Sequence, residues 1–149
     1  SEYQSDLIEF MFSTDTVFFD SDYCRIGVNN DLRAATLRYK RKGDSSEFRG
    51  AHLKLIELFE SNPQPRILVD AQNLGLVDPE DQKWVGRDVI PTLAKHIPDN
   101  FIKLAVVTAP YIFTKLAVDT VERVSMETGI CLNRNFESIN EAKMWLQEQ

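Results

Sequence analysis

The side chains best placed to do chemistry lie between Asp70 and Glu80 and at Thr108. Asp70 closes the apolar run Ile67-Leu68-Val69, Asn73 sits in the connection that follows, Asp78 and Glu80 flank Pro79, and Thr108 closes Leu104-Ala105-Val106-Val107. In open α/β sheets ligands gather outside the carboxyl ends of the strands, so Asp70, Asn73, Asp78, Glu80 and Thr108 are the expected ligand- or partner-binding residues. The carboxylates could hold a divalent cation, but acids at a helix start serve equally as caps, and that is the reading adopted. A phosphate would need free backbone N–H groups and positive potential. Pro79 removes one donor, and Glu80 and Asp81 add negative charge, so an anion is disfavoured.

Motifs for covalent or metal chemistry do not occur. The chain has no glycine-rich phosphate loop, no zinc spacing and no nucleophile elbow. Cys24 and Cys131 fall on expected strands and His52 and His96 on or near expected helices, without the local signature of a Cys–His pair. His52 borders an apolar helical stripe, where a partly buried histidine with a satisfied hydrogen bond is the expectation. No catalytic residue, metal ligand or cofactor is therefore assigned, and an enzyme of unrecognised type stays an alternative.

The elements that must position these residues follow from hydrophobic period. Thr16-Val17-Phe18-Phe19 and Tyr23-Cys24-Arg25-Ile26-Gly27-Val28 flank the turn-forming Asp20-Ser21-Asp22 and predict a hairpin. A third β-rich run covers Leu32 to Lys42 and sets Arg38, Lys40 and Lys42 at period two, either a basic patch for an acidic partner or, preferred here, a solvated face or charged sheet edge. After Gly43 the period becomes helical. Asp44 with Glu47 is a capping-box start, and Phe48, Ala51, Leu55, Ile56 and Phe59 form one stripe of a helix over about 45–60, ended by Asn62-Pro63-Gln64-Pro65.

The strand at Ile67–Asp70 is followed by a connection, Ala71 to Val77, longer than such loops usually are. Asp78-Pro79-Glu80-Asp81 then opens a helix with Val85, Val89 and Leu93 at four-residue spacing, which Pro91 should kink or split near residue 90. Phe101–Thr108 predicts another strand, apolar on both faces as a covered parallel strand is. Ala109-Pro110 opens a further helix carrying Phe113, Leu116, Ala117, Thr120, Val121 and Val124, with Gly129 beyond its end. Ile130, Leu132 and Phe136 alternate with Cys131, Asn133 and Asn135, so that strand has a polar face and lies near an edge. Ser138 and Glu141 cap a last helix that docks through Ile139, Ala142, Trp145 and Leu146. Residues 1–12 fit either a strand or a short helix.

Composition bounds what this α/β chain does. At 149 residues, 43% of them apolar and 27% charged, it suits a single domain over 1–149. The expected architecture is a mixed sheet with an N-terminal antiparallel hairpin followed by βαβαβα units. A net charge of −6 argues against nucleic acid as a partner. Two cysteines are too few for a disulfide framework, no run approaches the roughly 18 residues of a membrane span, and the first residues do not resemble a signal peptide. A cytoplasmic protein with reduced thiols is the expectation. Tyr3, Phe10, Phe12, Phe18, Phe19 and Tyr23 crowd the first 23 residues and could line an apolar ligand pocket or a self-association surface, although core filling explains them more simply.

The strand pair, the helix, Arg66-Ile67-Leu68-Val69-Asp70, Leu104-Ala105-Val106-Val107 and the ending Phe136-Glu137-Ser138-Ile139-Asn140-Glu141-Ala142-Lys143-Met144-Trp145-Leu146 together resemble the STAS superfamily, the SpoIIAA-like fold of anti-sigma-factor antagonists and sulfate-transporter tails. The ending is similar to the Phe, Glu-Ala, Trp-Leu close of SpoIIAA-like bacterial proteins. In the antagonist branch an Asp before the second helix precedes a Ser or Thr that a kinase phosphorylates. Asp78 can take the Asp place, but Pro79 and Glu80 follow it and carry no hydroxyl. The resemblance thus implies a non-enzymatic interaction, regulatory or ligand-binding domain without the usual phospho-switch, its partner being another protein, a second copy or a small apolar ligand. The rival within α/β switches is a phosphoacceptor receiver using Asp70 as acceptor and Thr108 as its hydroxyl partner, yet a receiver begins with a βα unit and an acidic pair where this chain begins with a hairpin.

Overall fold

The computed structural model of the chain describes residues 15–110 and 129–148. The expected strand or helix within 1–12, with Tyr3, Phe10 and Phe12, and the helix expected from Phe113 to Val124 lie outside the described residues. Six strands form one mixed sheet in the order β1 (Thr16–Asp20), β2 (Cys24–Asn29), β3 (Ala34–Tyr39), β4 (Arg66–Asp70), β5 (Ile102–Val107) and β6 (Cys131–Phe136). The first three pair antiparallel and β3 to β6 pair parallel. The expected hairpin is present, with its turn closed by Ser21 N–H donating to the Cys24 carbonyl at 2.9 Å.

Period two then divides the side chains of the sheet between two covers. On one face Ile26, Ala35, Leu37, Tyr39, Ile67, Ile102 and Leu104 meet α1 (Ser45–Ser61) and a broken helix made of α2 (Pro79–Trp84), a π-helical turn over Val85–Val89 and α3 (Ile90–Ala94). On the other Ala34, Leu68, Ala105, Val107 and Phe136 meet α4 (Ile139–Gln147). Trp145 of α4 rests against Phe136 with ring centroids 5.5 Å apart, so the C-terminal segment docks as its sequence implies.

The helix starts follow local chemistry. Asp44 accepts from Glu47 N–H at 2.8 Å while the Glu47 carboxylate accepts from Asp44 N–H at 3.2 Å, the reciprocal capping box expected there. Asp78 accepts from Glu80 N–H at 2.8 Å, ahead of Pro79 at the first helical position. The expected break near residue 90 takes the form of the π-helical turn. Ile90 N–H reaches back five residues to the Val85 carbonyl, and Thr92 Oγ1 donates to the Asp88 carbonyl at 2.7 Å. Widening the turn accommodates Pro91, which has no N–H to give.

One expectation needs correction. β3 is an inner strand, so Arg38 guards no sheet edge. Beyond its end, Lys40 is paired with Asp20 at 2.6 Å, and the stem of Lys42 lies beside Gly75. β6 is the edge strand expected, and its polar side is covered: Cys131 and Asn133 are buried, as is Phe136 on the α4 side, whereas Leu132 is 48% exposed. Alternation shows which residues share a face and leaves open which face is covered.

Candidate functional site

Between the sheet and the helices of the first face lies a cavity of about 130 Å³. Its floor is built in register: Val69 of β4 lies between Leu37 of β3 and Val106 of β5, and Ile67 lies beside Leu104. Its roof comes from two helical stripes, Phe48, His52 and Leu55 of α1 and Val85, Val89 and Leu93 of the broken helix. Spacings of three and four residues keep each stripe on one side, so both point at the sheet. The π-helical turn therefore supplies part of the roof, and such turns are frequent at functional sites.

The mouth is the long connection. Ala71 and Leu74-Gly75-Leu76-Val77 line the cavity where it opens beyond the strand ends, and Leu76 is 66% exposed there. Ala71 N–H donates to the Val107 carbonyl at 2.8 Å and Leu74 N–H to the Ala71 carbonyl at 3.2 Å, folding the loop back across the opening. Gly75 completes the fold with φ +80°, and a Cβ there would approach the Lys42 stem to 3.1 Å.

One wall of the cavity is aromatic. Tyr39 and Phe48 stack with centroids 6.0 Å apart, and His52 lies 4.5 Å from Phe48 and 5.8 Å from Trp84. His52 is buried, with Nδ1 2.9 Å from the Phe48 carbonyl. A carbonyl only accepts, so Nδ1 carries the proton and Nε2 faces the Tyr39 hydroxyl at 3.5 Å as acceptor. Burial pulls the His52 pKa down to about 4, against smaller opposing effects of the Phe48 carbonyl and Asp81, which makes this the neutral, hydrogen-bonded core histidine expected of it. The roof is clamped from outside by Arg49, whose Nε lies 2.7 Å from Asp81 and whose guanidinium stacks 4.7 Å above Trp84. Burial raises the Asp81 carboxyl, but hydrogen bonds from Arg49 and Ser45 outweigh it and hold the pKa below its ordinary value.

Three polar side chains interrupt the apolar lining. Gln82 Nε2 donates to the Val77 carbonyl at 2.9 Å, which leaves Oε1 as the free end of a side chain only 5% exposed. Thr108 Oγ1, on a residue 2% exposed, and Asn135 Oδ1 are likewise buried without a hydrogen-bond partner. Asn135 of β6 pairs with Val106 of β5, and Thr108 follows two residues later, just beyond the end of β5, so all three lie on the cavity face.

Of the residues expected from sequence, only Thr108 reaches this cavity. Asp70 occupies the reverse face, in register with Val107, where its Oδ1 accepts from Gln72 N–H at 3.1 Å and Gln72 Nε2 at 3.0 Å. Burial raises its carboxyl above the usual range, opposed by the Gln72 bonds and the Arg38 charge. The pairing of Asp70 with the Thr108 hydroxyl that a receiver needs is not formed, because the two side chains leave the sheet on opposite sides. Asn73 and Glu80 are exposed on the loop and helix start, Glu80 3.5 Å from Lys83. Asp78 caps α2 and lines a second depression of about 220 Å³ outside the mouth, shared with Tyr23, Asp44, Ser45 and Asp81.

Sequence reasoning missed Gln82, Asn135 and the aromatic wall. Of the early aromatics among the described residues, Phe18 is exposed, Phe19 packs against the core and Tyr23 is buried, and none of these three lines the cavity. Among the described residues no group of three or more His, Cys, Asp or Glu side chains could hold a metal ion, and no helix is long and apolar enough to cross a membrane. Comparisons with protein-family models, with curated proteins and with solved structures find no match to this chain.

Proposed function

We propose that this chain is a non-enzymatic, SpoIIAA-like domain whose task is to hold a small apolar molecule between its sheet and helices. The observation that carries this reading is the cavity of about 130 Å³, lined almost wholly by apolar side chains and opening beneath the 71–77 loop at the carboxyl ends of β4 and β5. A void of this kind costs stability, because its lining atoms lack contacts on one side. Concave apolar sites with a few polar groups are also the usual form of a ligand site. The order of strand pair, helix and βα units, together with the Phe136 to Leu146 ending, supports the SpoIIAA-like reading. Pro79 and Glu80, standing after Asp78, favour ligand occupancy over a phosphorylated hydroxyl as the regulatory event.

The test uses benzene as a plain apolar probe of the full chain. An engineered apolar cavity of about 150 Å³ is enough to take up benzene. Saturable shifts in the NMR signals of Leu37, Leu55 and Leu93, absent in a folded Val106→Phe variant whose larger ring fills the floor, are the expected result. Benzene that leaves those signals unmoved, or that binds equally to Val106→Phe, would overturn the reading.

A further inference from the structure

We propose that the cavity selects a neutral molecule of single-ring size carrying one hydrogen-bond donor, a phenol or a small N–H heteroaromatic, in preference to a bare hydrocarbon or an organic anion. The inference rests on the cavity being a ligand site and adds the chemistry of the ligand. Size comes first: about 130 Å³ is close to the roughly 150 Å³ of an apolar cavity that takes up one benzene ring. Shape comes from the wall of Tyr39, Phe48 and His52, against which a flat ring can stack offset or edge-on.

Polarity comes from the groups left unmatched. Gln82 Oε1 can only accept, because its amide nitrogen is committed to the Val77 carbonyl. Asn135 Oδ1 can only accept, and the Thr108 hydroxyl can do either. Buried groups of this kind are nearly always paired in a native protein, and leaving one unpaired costs free energy that a ligand donor can recover. Acceptors outnumber donors here, so the ligand must bring hydrogen. Among the described residues no lysine or arginine lines the cavity, and His52, neutral with its Nδ1 proton committed to the Phe48 carbonyl, gives no cation for a carboxylate or phosphate to meet.

Phenol, benzene and benzoate, titrated into the full chain near pH 7 by calorimetry or NMR, separate the possibilities. Phenol should bind at least about tenfold more tightly than benzene, the scale of one well-placed buried hydrogen bond. Thr108→Val, which keeps the volume and removes the hydroxyl, and Asn135→Leu should narrow that ratio toward one by weakening phenol relative to benzene. Retained benzene binding also shows that each variant is folded. Benzene matching phenol in the wild type, a phenol preference untouched in both variants and also in Gln82→Leu, or benzoate binding most tightly would each overturn the donor assignment with the ligand-site reading still standing. Failure of all three probes to bind would remove both.

Discussion

The two faces of the sheet are made from alternate residues of the same strands, yet they are packed to different ends. On the α4 face, Ala34, Ala105 and Ala142 bring helix and sheet close, and Leu68, Val107, Phe136, Trp145 and Leu146 fill what remains. On the other face, Leu37, Val69 and Val106 stand beneath a roof of Phe48, His52 and Val89 with about 130 Å³ between. The first cluster is continuous, and the second borders an open space. The lesson concerns where a fold keeps its binding capacity: one side is dense enough to hold the sheet, which leaves the other free to be underfilled.

The largest expected effect tests that difference directly. Leu146 and Leu93 are both fully buried, one on each face. Leu146→Ala opens a new hole in a filled layer and should cost about 4 kcal/mol. Leu93→Ala enlarges a space that already exists, and the leucine forgoes fewer contacts because one side of it faces the cavity, so about 2–3 kcal/mol is expected. Urea denaturation of both variants measures the gap. Equal costs would mean that the roof settles onto the floor in solution.

The faces also differ in their response to acid, the next largest effect. His52 has its pKa lowered to about 4 in the folded chain, against about 6.5 unfolded. Between those values the unfolded chain binds the proton and the native chain refuses it, so stability is full above pH 6.5 and falls as the pH drops toward 4. The difference of about 2.5 pKa units corresponds to about 3 kcal/mol. Asp70 on the opposite face has its pKa raised by burial, so its contribution has the other sign: it is most favourable at low pH and is lost as pH rises through the folded value. Unfolding free energies of the wild type and His52→Asn, measured from pH 7.5 to 4, should diverge in slope below pH 6.5, the variant being flatter. Parallel curves would show that His52 is reached by water and proton in the native state.

Much of this frame is legible in the sequence, for identifiable reasons. Ile67–Asp70 and Leu104–Val107 read as inner strands because a strand covered on both faces needs no polar alternation, and both are inner strands. Asp44, Asp78 and Ser138 read as caps because helix ends need acceptors for free N–H groups, and each accepts one. The site was less legible. Thr108 is identified by its place just past a strand end, but Asp70, the last residue of β4 and level with Val107, falls on the opposite side by the parity of the strand. Cys131, Asn133 and Asn135 read as one polar face, but the pattern does not say which cover that face meets, and only the position of the helices turns it inward. The cavity itself has no local signal, because it is a gap between elements rather than a property of any one of them.

Asp78 gives the smallest expected effect and the sharpest boundary for the cavity. Its carboxylate caps α2 through Glu80 N–H, and it faces the outer depression while the cavity proper ends at Val77. Asp78→Ala should therefore cost about 1 kcal/mol in chemical denaturation, recovered in Asp78→Asn, which keeps an acceptor at the cap. If the two faces differ as argued, with binding confined to the space above Leu37, Val69 and Val106, phenol affinity should be the same in both variants. A folded Asp78→Ala that loses phenol binding would extend the site through the mouth into the depression lined by Tyr23, Asp44 and Asp81. The acidic helix start would then act on the ligand, and its role would no longer be limited to holding the roof in place.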